Sequence, residues 1–383
     1  MATRGKGSVW ASEWQTTKDP ISGATVHQLT NYMAHSSHFY FTNPGWYDGG
    51  KKMLFTSQRE NRTNLFSIDL RSGEMTQLTD IAPDEGEGGS PFVNPVKSEA
   101  IYTQGRMLKA INLETLEERT LYVKPEGYGG GGTNVTADGK YVCTSLVTDL
   151  SDRIYTDMGH GYVGFREWWE ARPPSKILKV ALDGSGEEVI YEEDYWLGHV
   201  NTSPNMPNII TFCHEGPWNL VEQRIWGLDI YTGATWQIRP QEPDEAIGHE
   251  YWMPDGEHIG YHGSTPEGPV YGSIRYDNTN QIEAPFPYGS MHFHSVGLRL
   301  IVGDGGKDNP YMLLWRMNEG AFEGPKVLAW HRGSFHTQRV HVHPTFNAEG
   351  TQVAYTADPQ GYGQVFLVDV PEWESLPDRD EVK

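Results

Sequence analysis

The segment QRVHVH places three side chains with free lone pairs close together: Gln338, His341 and His343. Alternate residues of an extended chain share a side, so His341 and His343 would project together. Neutral imidazoles suit Zn, Mn, Fe, Ni or Cu, and an amide oxygen adds a harder donor. No cysteine accompanies them, unlike the closed thiolate shells of structural zinc. Arg224, in the segment FCHEGPWNLVEQRIW, could grip a carboxylate through two parallel N–H donors. The alternative is a surface arginine paired with Glu222 or Asp229. Other chemistries lack their motifs: there is no G-x-S-x-G, no phosphate-binding P-loop and no H-E-x-x-H.

More histidines share one register. Ten positions before an apolar strand residue, Ile259 leads back to His249, Val353 to His343, Val302 to His292 and Ile209 to His199. The same count from Val142 reaches Gly132, and matching Phe41 to Trp252 puts His38 in this slot. His292 and the QRVHVH segment together make three imidazoles and one amide. A shared slot could also hold histidines that only pack one repeat on the next. The spacing favours convergence, because the slot lies at the entry of what would be each repeat's innermost strand.

The elements that must position these residues repeat along the chain. One phrase is a strand, a short Gly- or Thr-rich turn and a second strand. It occurs at 64–79, 106–122, 176–194, 224–240, 272–287 and 311–331, and is cut short at 364–370. Its missing partner is ISGATVHQLTN at 21–31, near the other end. A second phrase, strand–Asp-Gly-type turn–strand, lies between, clearest in WMPDGEHIGYHG at 252–263. Two hairpins per unit at a period of roughly 40–55 residues match propeller blades. The expected fold is therefore all-β, a single seven-bladed β-propeller over 1–383, closed by the N-terminal strand completing the last blade. One insertion, 147–175, breaks the rhythm. It holds the convincing helical stretch FREWWEAR before Pro173 and Pro174, and reads as a lid or as rim packing.

Composition agrees. Many turn residues (43 Gly, 24 Pro) and 12% aromatics fit short strands and exclude a coiled coil or a disordered chain. No apolar run reaches the roughly 18 residues of a membrane span. A net charge of −21 argues against nucleic acid or an anionic membrane as partner. Cys143 and Cys213 lie in apolar runs and read as buried free thiols. The N-terminal residues show no signal-peptide pattern, so the expected location is cytoplasmic.

Several of these segments, taken in order, resemble the oligogalacturonate lyases of the pectate-lyase-22 type. They are WLGH at 196–199, FCHEGPWNLVEQRIW at 212–226, GHEYWMPDG at 248–256, VGDG at 302–305 and QRVHVHPTFNAEG at 338–350, with SGATVHQLT near the start. The resemblance spans nearly the whole chain. It implies an enzyme cleaving a small acidic oligosaccharide by β-elimination. By motif, a divalent metal, typically Mn2+, would sit on His292, Gln338, His341 and His343. His249 would be the general base, Arg224 the residue facing the substrate carboxylate, and His199 and His214 further residues of the cleft.

That chemistry is coherent. A proton α to a carboxylate is weakly acidic, so the carboxylate must be neutralised before a histidine can remove it. The leaving O4 needs a proton from water or from a second acid that the motifs do not assign. There are departures from the family pattern. The segment MHFHSVG makes His294 an alternative ligand to His292, HVHP stands for HPHP, HSSHFYF is diverged, and the insertion has its own sequence. The sugar is left open among galacturonate, glucuronate, iduronate and branched uronides. The competing functions are a non-catalytic interaction propeller and a metal-dependent hydrolase or lactonase on the same scaffold.

Overall fold

A computed structural model of the protein describes residues 4–86, 88–158 and 161–382. Seven antiparallel sheets follow one another along the chain. The fifth shows the plan: Ala246–Trp252 innermost, then His258–Thr265, Gly268–Arg275 and Ile282–Pro285. Second strands are buried on both faces, as in Ile209–His214, because a neighbouring sheet covers each side. Outer strands such as Glu187–Asp194 mix exposed and half-buried positions.

Seven apolar clusters fill the seams between these sheets. Leu54 and Leu65 of the first sheet meet Ala100 and Ile111 of the second. The series continues through the third, fourth, fifth and sixth sheets. Val302 and Leu314 of the sixth meet Val353 and Phe366 of the seventh. Ala354 and Val365 then meet Phe55 and Phe66 of the first. The ring is thus a closed seven-bladed β-propeller. Each sheet buries two faces that it could not bury alone.

Closure uses more of the N-terminus than expected. Thr25–Gln28 pairs with Gln364–Asp369, and Gln15–Lys18 adds a fifth strand outside it. Val9–Trp10 then crosses to the first sheet and pairs with Met75–Gln77. Arg59, buried in the 3-10 turn between two strands of the first sheet, reaches back to Glu13 at 2.7 Å. The N-terminal segment therefore ties two adjacent blades together.

The insertion is shorter than its sequence limits. Tyr141–Thr148 and Pro174–Ala181 claim residues from both ends. Its helix, Phe165–Glu170, ends before Arg172 turns left-handed (φ 48°) ahead of Pro173. Trp169 donates to the Tyr195 hydroxyl at 2.9 Å, and the Trp168 and Phe165 rings meet Trp196. Cys143 and Cys213 are free and buried. No helix among the described residues is long and apolar enough to cross a membrane.

Candidate metal centre and active site

The register of histidines has a backbone cause. His199, His249 and His343 all hold left-handed φ, at 45°, 48° and 44°. Gly132, in the same slot, also has positive φ. At His199 the pairing jumps from Gly198↔Cys213 to Asn201↔Thr211, one extra residue on the inner strand. At His249 it jumps from Gly248↔His262 to Tyr251↔Gly260. Such bulges re-aim a side chain, and left-handed backbone at a non-glycine residue costs about 1–3 kcal/mol. The glycine before His249 has its own reason: a Cβ on Gly248 would lie 2.5 Å from the Trp218 ring and 2.9 Å from Arg224 Nε.

His292, His341 and His343 meet. Each offers a ring nitrogen, and these nitrogens lie within 4.8 Å of one another. The ring of His292 stands 4.3 Å from that of His343 and 5.7 Å from that of His341. His292 Nδ1 donates to the Asp304 carboxylate at 2.7 Å, which occupies one of its two ring nitrogens. His341 Nδ1 and His343 Nε2 are buried with no hydrogen-bond partner among the described residues. A buried unsatisfied polar group costs about 1–3 kcal/mol. Burial, and then His292, lowers the His341 pKa to about 4, and burial holds His343 well below the usual range. The triad is therefore convergent, and two of its members, His341 and His343, are neutral with an unsatisfied nitrogen, which is what a divalent cation requires. Gln338 lies on a short 3-10 turn, Gln338–Val340, just before His341 and lines the same cavity as His343. His294 faces elsewhere: its Nδ1 accepts the Phe346 N–H at 3.1 Å and its ring stacks on Tyr251.

His249 is stacked on His292, with ring centroids 4.7 Å apart. Its Nδ1 donates to the Met291 carbonyl at 2.5 Å, since a carbonyl can only accept. Nε2 is thereby left as the basic nitrogen. Burial, then His292, His262, His199 and Arg224, holds its pKa well below the usual imidazole value. It is a neutral imidazole whose Nε2 carries the lone pair.

Arg224 is not a surface residue. It is 1% exposed, and its partners are neither Glu222 nor Asp229. Nη1 donates to Glu215 at 2.9 Å and Nε to Glu250 at 3.4 Å. Glu215 also faces His199 Nε2 at 3.2 Å. Burial pushes the Glu215 pKa up, but Arg224 and then His199 outweigh it and hold the carboxyl well below the usual range. His199 lines the cavity, which has a volume of about 740 Å³ and is shared with Tyr40, Gln338 and His343. His214 is placed apart. Its ring stacks on Tyr195 at 3.9 Å and its Nε2 meets Glu193 at 3.0 Å. His38 uses both ring nitrogens on the protein, Nδ1 on Thr356 Oγ1 at 2.7 Å and Nε2 on the His343 carbonyl at 2.6 Å. It buttresses a triad member and is not a free imidazole.

A family model described as "Oligogalacturonate lyase" matches residues 3–374, almost the full chain. The chain belongs to the oligogalacturonate lyase family. This is a family of carbon–oxygen lyases. An oligogalacturonide lyase of Pectobacterium atrosepticum is 26% identical over 96% of this chain and 98% of its own. The oligogalacturonate lyase of Dickeya dadantii is 27% identical with the same coverage. A solved structure described as oligogalacturonate lyase in complex with manganese superposes with a TM-score of 0.86 at 26% identity, covering 96% of this chain and 99% of that one. One from Vibrio parahaemolyticus superposes with a TM-score of 0.84 at 25% identity, covering 96% and 99%.

Sequence reading did not single out four residues that shape this site. Asp304 stood in the quoted VGDG but had no assigned role. Glu215 stood in FCHEGPW without a partner. His262 and Tyr40 carried no signal beyond residue type. His262 sits with its Nε2 3.2 Å from the Met291 carbonyl, beside His249. The ring of Tyr40 lies among those of His199, His292 and His343.

Proposed function

We propose that this protein cleaves short oligogalacturonides by β-elimination, with His249 as the base and a divalent ion, manganese, on His292, His341, His343 and Gln338. The supporting observation is the pair of orphaned buried nitrogens on His341 and His343 beside a neutral His249 whose Nε2 is free. A bound divalent ion supplies Lewis acidity toward the substrate carboxylate.

The chain's own groups do the rest. Arg224 adds fixed positive charge, and the carboxylates of Glu215 and Glu250 hold its guanidinium in place. Its remaining N–H donors are available to a substrate carboxylate. His199, anchored by Glu215, borders the sugar. His249 Nε2 takes the C5 proton. A positioned base of this kind contributes roughly 10²–10⁴-fold. Asp304 orients His292 by accepting from Nδ1, as carboxylates do behind metal-ligating histidines.

The test is to incubate the protein with trigalacturonate, with and without chelator, and to follow the ultraviolet absorbance of the unsaturated uronide. Absorbance that grows, and stops when chelator is added, is expected. New reducing ends without absorbance would mean a hydrolase and would end this reading.

A further inference from the structure

Elimination leaves the departing O4 in need of a proton. We propose that Tyr40 donates it, acting as the general acid opposite the base His249. This rests on the lyase reading above.

Tyr40 lies in the segment that joins the strands Ser36–Ser37 and Trp46–Tyr47 of the first sheet, and it lines the 740 Å³ cavity. Its ring stands edge-on to His199 at 5.8 Å, His292 at 5.8 Å and His343 at 4.9 Å. His249 shares two of these neighbours, His292 at 4.7 Å and His199 at 6.1 Å. Phenol and base therefore share two imidazole neighbours. No described residue hydrogen-bonds this hydroxyl, so its proton is available to a ligand. The next residue, Phe41, is fully buried against Tyr251 and His249. This anchors the segment that presents Tyr40.

Several other donors near the cavity are committed. His38 has both nitrogens occupied. His199 Nε2 is held by Glu215. The Ser37 and Thr56 hydroxyls bond each other at 3.0 Å. Aliphatic hydroxyls are also weaker acids than a phenol. A tyrosine O–H is a recognised general acid.

The step balances. The C5–H bond breaks, its proton moves to His249 Nε2, and its electron pair becomes the C4–C5 double bond. The C4–O4 bond breaks, and O4 keeps that pair and takes the Tyr40 proton. The products are a 4,5-unsaturated uronide and a shortened chain ending in a hydroxyl. The imidazolium and phenolate that are left return to neutral by net transfer of one proton through solvent.

Tyr40→Phe keeps the ring and its packing and removes only the proton. The test compares this variant with the wild-type protein on two galacturonides. One is trigalacturonate, whose sugar leaving group needs a proton. The other carries 4-nitrophenol at O4, a leaving group that departs as an anion. The expected result is a fall in kcat of about 10²–10⁴-fold on the first, with KM and bound manganese little changed, and near wild-type kcat on the second. Equal losses on both substrates would make Tyr40 a packing residue, and no loss on either would remove it from the reaction; each overturns the proposal. A wild-type protein that makes no unsaturated product would instead overturn the underlying lyase reading.

Discussion

The innermost strands line two cavities that differ in chemistry. One carries Tyr40, His199, Gln338 and His343. The other, of about 390 Å³, is bordered two or three residues farther along the same strands by Thr202, Tyr251, Trp252, His294 and Phe346. The same blades supply both, so blade count and fold do not explain the difference. The backbone does. Bulges with left-handed residues occur at His199 and His249, whereas the following residues return to ordinary pairing at Asn201 and Tyr251. Histidine occurs in both regions, but His294 is satisfied by the Phe346 N–H and packed on Tyr251. His292 instead meets two imidazole nitrogens that have no partner. Company, rather than residue type, separates a ligand from a packing residue.

Four substitutions would break or sharpen that contrast. His249→Ala should lower kcat by about 10²–10⁴-fold while leaving manganese content unchanged by elemental analysis. Loss of metal in that variant would make His249 a ligand and redraw the imidazole-lined site. Arg224→Met strands Glu215 and Glu250 as buried carboxylates without their cation. Breaking a buried pair in this way should cost about 3–5 kcal/mol in denaturant unfolding, and turnover should fall with it. If stability is unchanged, the three groups do not form the charge cluster described here.

Asp304→Asn should act more mildly, weakening metal affinity by about 10–100-fold in a competition titration, because only the orientation of His292 is lost. An unchanged affinity would mean that the triad needs no such support. The smallest effect on turnover belongs to His294→Ala. It leaves the Phe346 N–H unpaired and should cost about 1–3 kcal/mol of stability, with kcat and metal content as in the wild-type protein. Metal loss there would move the ligand from His292 to His294.

Much of this site is legible in the chain because the fold repeats. Counting back ten positions compares one blade with the next, and His199, His249 and His343 fall into one slot that the structure gives one backbone conformation. His292 shares the slot by count, but its place depends on Asp304 across a strand pair and not on a left-handed turn. His38 shows the limit of the method. It fits the count, yet Thr356 and the His343 carbonyl claim both of its nitrogens. His214 matched a family motif, but Tyr195 and Glu193 hold it. For Arg224 the spacing left local pairing with Glu222 or Asp229 open as an alternative, whereas its partner Glu250 is twenty-six positions away.

By itself the sequence determined the number of blades, the joining of the two termini and the set of histidines from which a site could be drawn. All three follow from periodicity, which is a local property of the chain. Only the tertiary structure decided which of those imidazoles are left with a lone pair and no partner, where the Arg224 charge is balanced, and that a tyrosine stands among them. Those outcomes depend on side chains from different blades meeting across the axis. No spacing along one strand encodes that meeting.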